Sequence, residues 1–99
     1  MSSRRAHRLV AAELPVFLES LARAIRSGLS VPSAMTTAST QVHGPLRADL
    51  DTVGARLDRG ASLASALDEW RRRRAEVHGV HTVASALIIA SSAGGAVSD

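Results

Sequence analysis

The sequence predicts an all-α fold, an antiparallel helical bundle of about five helices that lacks a sixth. Three observations predict it. The phrase Gly28-Leu29-Ser30-Val31 returns as Gly60-Ala61-Ser62-Leu63 and starts again at Gly94-Gly95-Ala96-Val97, at offsets of 32 and 34 residues. Such offsets hold two helices and their turns, the spacing of stacked helical hairpins. Apolar residues between these glycines recur every three or four positions. Val, Ile and Thr nowhere alternate with polar residues at period two, which argues against strands.

The first helix is expected from about Leu14 to Ser27, with an extension backward to Val10 left open. Val10, Leu14, Phe17, Leu18, Leu21 and Ile25 fall in one stripe, with Glu19, Arg23 and Arg26 opposite. Pro15 suits a first turn, where its missing N–H costs nothing. Residues 1–12 are therefore expected as a basic arm or a separate short helix, and residues 13–99 as the bundle. Gly28 supplies a left-handed C-terminus and Ser30 the next N-cap. The second helix, Val31 to about Gln41, buries Ala34, Met35 and Ala38; its threonines and serines are mediocre helix formers, so packing must hold it.

A third helix from Pro45 to Arg59 is marked by Leu46, Leu50, Val53 and Leu57, with Arg47, Asp51, Arg56 and Asp58 outside. Gly54 in its middle costs up to about 1 kcal/mol relative to alanine, and the expected compensation is a neighbouring helix that approaches closely there. Ser62 caps a fourth helix with Leu63, Ala66, Leu67 and Trp70 inward. Glu76 to Val80 reads as a turn around Gly79. A fifth helix then carries Val80, Val83, Ala84, Leu87 and Ile88, with Ile89 adjacent, and Gly94-Gly95 is expected to end it.

A chain of 99 residues with 45% apolar and 2% aromatic residues forms one domain whose core rests on small side chains and close helices. There is no cysteine, so disulfides and thiolate metal sites are excluded. The net charge of +3 comes entirely from arginine on the basic side, a mild lean and not a nucleic-acid signature. Met1-Ser2-Ser3-Arg4-Arg5 is not followed by the apolar stretch of a secretory signal. The stretch from Val83 to Val97 is too short and too interrupted to span a bilayer.

Five segments in order carry a family resemblance. Glu13-Leu14-Pro15-Val16-Phe17-Leu18, leading to Ala24-Ile25-Arg26-Ser27-Gly28-Leu29-Ser30, resembles the opening of the cytoplasmic F domain of bacterial secretion and pilus platform proteins. Gly44-Pro45-Leu46 through Leu57-Asp58-Arg59-Gly60 is similar to that family's middle hairpin. Ser62-Leu63 to Ala66-Leu67 is similar to the helix after it, and Ala86-Leu87-Ile88 to Gly94-Gly95 to its fifth helix and diglycine turn. The arginine-rich, alanine-rich version most resembles Tad (Flp) pilus members, TadB or TadC.

The resemblance implies a non-enzymatic platform of type II secretion, type IV pilus or Tad pilus machines. It would couple a secretion ATPase to pilin assembly at the cytoplasmic face of the inner membrane, as part of a membrane protein. The partners implied are that ATPase, pilin subunits and other platform copies; no catalytic residue, cofactor or nucleic acid is implied. Some members hold a metal through acidic side chains at a subunit contact, but no matching acidic cluster stands here, so no metal site is carried over. The family's usual six helices imply a sixth starting near Val97. Without it, the faces of the fifth and first helices that would receive it are apolar, and self-association is expected.

The residues themselves offer little chemistry. His78 and His81 are three apart but lack a third ligand; His7 and His43 have no evident partner. The serines sit where caps and turns need them, and no nucleophile elbow or phosphate loop is present. Arg71, Arg72, Arg73 and Arg74 are the candidate partner-binding residues. The bland reading is a solvated helix end, with Asp68 to Arg72 and Glu69 to Arg73 spaced for pairing. The functional reading is a contact for an acidic partner or for anionic lipid head groups. Rival classes are a small basic helical nucleic-acid binder using these arginines with Arg4, Arg5 and Arg8, and a helical-repeat peptide-binding module suggested by the spacing.

Overall fold

Five helices follow one another: α1 (Ser3–Arg26), α2 (Val31–Ser39), α3 (Gly44–Asp58), α4 (Leu63–Arg73) and α5 (His78–Ser98). The computed structural model describes the backbone of residues 3–98 and the side chains of residues 4–92. Strands are absent among the described residues. α1 lies against α2 and α3, α4 lies against α5, and α3 joins the two pairs.

α1 differs from the expected element. It is one helix of 24 residues that passes straight through Pro15, so residues 4–12 are neither a frayed arm nor a separate helix. A proline inside a helix costs about 3 kcal/mol. Burial on both sides of it opposes that cost: Val10 precedes Pro15, Phe17 and Leu21 follow it, and all three are buried on one face. Leu18 and Ile25, expected in that stripe, are 41% and 40% exposed. They lie at its edge and are partly open to solvent.

The two Gly-x-Ser joints are built alike. Gly28 and Gly60 adopt φ of 106° and 97°, left-handed values that L side chains rarely take. After each, the chain closes the same pair of bonds: Leu29 N–H to the Ala24 carbonyl (3.2 Å) with Gly28 N–H to Ile25, and Ala61 N–H to Arg56 (3.0 Å) with Gly60 N–H to Leu57. Ser30 and Ser62 then accept from the N–H groups of Ser33 and Ser65, at 3.3 and 3.0 Å, and start the next helix. The start of α3 is handled from a distance: the Glu13 carboxylate on α1 accepts the His43 N–H at 3.1 Å.

The core contains Phe17 and Trp70, edge to face with ring centroids 6.5 Å apart, surrounded by Leu46, Leu67, Val42 and Val80. α2 contributes Ala34, Met35 and Ala38, α3 contributes Leu46, Leu50 and Val53, and α4 contributes Ala66, Leu67 and Trp70, as the spacing predicts.

Four glycines behave otherwise than expected. Gly79 lies in the first turn of α5 and not at the centre of a turn. A Cβ there would stand 2.7 Å from Leu14 Cδ1, so its bare backbone lets α1 and α5 meet. At Gly54 the expected close neighbour is missing: among the described residues nothing lies within 4 Å of where a Cβ would be. Gly94-Gly95 does not stop α5, which continues to Ser98, so Val97 lies in α5 and does not open a sixth helix. Each glycine weakens a helix by about 1 kcal/mol, which is not a terminus in itself.

Candidate interaction surface

Asp49 organises the polar interior. It sits on the inner side of α3, 3% exposed, between Leu46 and Val53. Trp70 Nε1 donates to its Oδ2 at 3.0 Å. Arg74 forks onto both oxygens, Nε to Oδ2 at 2.7 Å and Nη2 to Oδ1 at 2.8 Å. A bidentate guanidinium and an indole together satisfy the carboxylate's acceptor sites, the condition under which a buried charge is tolerated. The hydrogen bonds it donates to Asp49 hold the Arg74 guanidinium above its ordinary pKa; burial opposes this and the Asp49 charge adds to it.

The network runs on into α1. Arg74 Nη1 meets His7 Nδ1 at 3.2 Å, and His7 Nε2 meets Glu76 Oε1 at 2.8 Å. A guanidinium only donates, so Nδ1 accepts and the ring proton is assigned to Nε2, facing Glu76. His7, expected to have no partner, thus has one on each nitrogen. One chain of contacts joins α3, α4, the turn after α4 and the first turns of α1.

These contacts divide the four candidate arginines. Arg74 is held inside, against Asp49. Arg71 pairs with Asp68 and donates to Ser85 Oγ on α5 at 3.1 Å. Arg72 pairs with Asp68 at 2.6 Å, as the i, i+4 spacing predicts, yet stays largely exposed. Glu69 does not meet Arg73; it turns to Arg56 on α3 at 2.8 Å. Arg73 is left exposed, without a partner among the described residues. The outward part of the run is therefore Arg72 and Arg73.

The larger surface hollows include one that the network itself borders. It has about 600 Å³ and lies between the first turns of α1 and the start of α5, where His7 and Glu76 line it together with Arg4, Arg8 and His78, over Ala11, Leu14 and Val77. A second, of about 390 Å³, runs between α2 and α3 along Met35, Val53, Gly54 and Leu57. His78 and His81 stack with centroids 6.5 Å apart. Among the described residues no group of three His, Cys, Asp or Glu is placed to hold a metal ion, and no helix is long and apolar enough to cross a membrane.

The molecule is an all-α helical domain whose polar interior is internally satisfied among the described residues and whose surface carries hollows and an arginine edge. Residues 17–99 match the family model described as Type II secretion system (T2SS), protein F, and the chain belongs to that family. The family's members are components of inner-membrane secretion and pilus platforms. No curated protein and no solved structure matches the chain.

Proposed function

We propose that this domain is a non-enzymatic adaptor of a Tad-type pilus platform, lying at the cytoplasmic face of the inner membrane and coupling a secretion ATPase to pilin assembly. The observation that carries this is the family match across residues 17–99. The arginine-rich, alanine-rich composition that resembles the Tad members supports the narrower assignment. Its partners are the ATPase, pilin subunits and further platform copies. The ATPase contact is assigned to the edge formed by Arg72 and Arg73, the members of the run that face solvent. Arg71 and Arg74 support that edge from within, through Ser85 and Asp49.

The test is a pull-down of the ATPase of the same apparatus. The double variant Arg72→Glu and Arg73→Glu should lose about ten-fold or more of the capture, as expected when an interface charge is reversed, while far-UV circular dichroism stays unchanged. Equal capture by both proteins would remove the edge from the interface. A band shift with mixed DNA that weakens steeply with salt would instead favour the nucleic-acid reading.

A further inference from the structure

Gly54 is a cost without a visible return inside the chain. It sits in the middle of α3 at an ordinary helical φ, where glycine gives up about 1 kcal/mol to alanine. A glycine at such a position leaves room for another backbone to approach, yet among the described residues nothing lies within 4 Å of its missing Cβ. What adjoins it is the 390 Å³ groove between α2 and α3. The only charged residues lining that groove are Asp51 and Asp58. Along α3 they stand three residues before and four after Gly54, so acid, bare backbone and acid form one line about 10.5 Å long. Asp51 has a single exposed contact, to Arg47, and Asp58 has no ion pair among the described residues.

The same molecule carries the complement. On α1, Leu18, Ala22 and Ile25 recur at i, i+4 and i+7, the same seven-residue repeat, and the two large members are exposed. Beside them Arg23 and Arg26 project from the last turns with Glu19 on the same side, which leaves that edge net positive, and Arg26 has no acidic partner among the described residues. An apolar ridge with a net positive edge on one copy matches, in repeat and in sign, a groove edged by aspartate on another.

We propose that the α2–α3 groove receives the Leu18–Ala22–Ile25 ridge of a second copy of this chain, with Gly54 as the point of closest helix approach. The two surfaces differ, so the contact is head-to-tail and each joined pair keeps one free groove and one free ridge. This proposal is independent of the ATPase reading, because neither Arg72 nor Arg73 takes part.

Sedimentation velocity on the 99-residue chain, across a concentration series, tests it. The wild type should associate, and less so at high salt, since exposed charge pairs are screened. Gly54→Gln should raise the melting temperature, because glutamine is a good helix former and has room, while weakening association by about ten-fold or more. Ile25→Glu should weaken association equally from the other side. Mixed together, the two variants should form a one-to-one dimer, because the first keeps its ridge and the second its groove. A wild type that stays monomeric, a Gly54→Gln protein that associates normally or melts lower, or a mixture that forms no dimer would each overturn the proposal.

Discussion

Removing the guanidinium of Arg74 would leave the Asp49 carboxylate, buried between α3 and α4, facing only the Trp70 indole. Breaking a buried pair from one side costs about 3–5 kcal/mol, because the surviving charge stays desolvated. Arg74→Ala should therefore unfold at markedly lower urea, with a loss of about 3 kcal/mol. Arg74→Lys should recover only part of it, since an ammonium cannot fork onto both oxygens. Replacing both partners, Asp49→Leu with Arg74→Met, should restore most of the loss; a double variant as weak as Arg74→Ala would contradict this account. The raised pKa of Arg74 has a definite sign: its contribution is complete below the guanidinium's unfolded value and is lost only as pH rises through the folded one. The pairing was not visible in the sequence. Asp49 stands three residues after Leu46 and four before Val53, on the inward stripe of α3, but its partners stand 21 and 25 positions away. Periodicity gives the face of a residue on its own helix, not the group on another helix that meets it. The same limit hid His7.

The joints show the opposite case, because everything they require lies within a few residues. Gly28 and Ser30, and again Gly60 and Ser62, announce a left-handed stop followed by a cap, and the described bonds follow. Gly60→Ala should cost about 1–2 kcal/mol in a thermal melt through left-handed strain. Ser62→Ala should cost about 1 kcal/mol through the lost cap to Ser65. A neutral Gly60→Ala would mean that the turn relaxes freely. Where the same reasoning was applied to Gly94-Gly95 it failed, and the difference is physical. Gly60 closes a helix whose next residues pack back as α4, whereas α5 continues through its glycines. Pro15 failed similarly: local cost predicted a break, but Val10, Phe17 and Leu21 are buried on both sides of it and keep α1 whole.

Across the molecule, Trp70 touches Phe17 of α1 and Asp49 of α3 while anchored on α4. It is the only tryptophan, so its fluorescence reports whether these three helices separate. Urea transitions followed by that fluorescence and by far-UV circular dichroism should coincide, as in two-state unfolding. An earlier fluorescence change would mean that the contacts of Trp70 with α1 or α3 open before the helices unfold. The class of fold was legible because amphipathic repeats and caps are local. Which helix faces stay open was not, because Leu18 and Ile25 look like core until the position of every neighbour is known.

The Arg74–His7–Glu76 tie has a mechanical meaning. It fastens the beginning of α1 to the corner between α4 and α5 by directional bonds, ahead of the greasy contacts deeper along the helix. A tug on α1 at His7 would load that clasp, which passes the strain to the corner after α4 and, through the Arg74 fork, to Asp49 on α3.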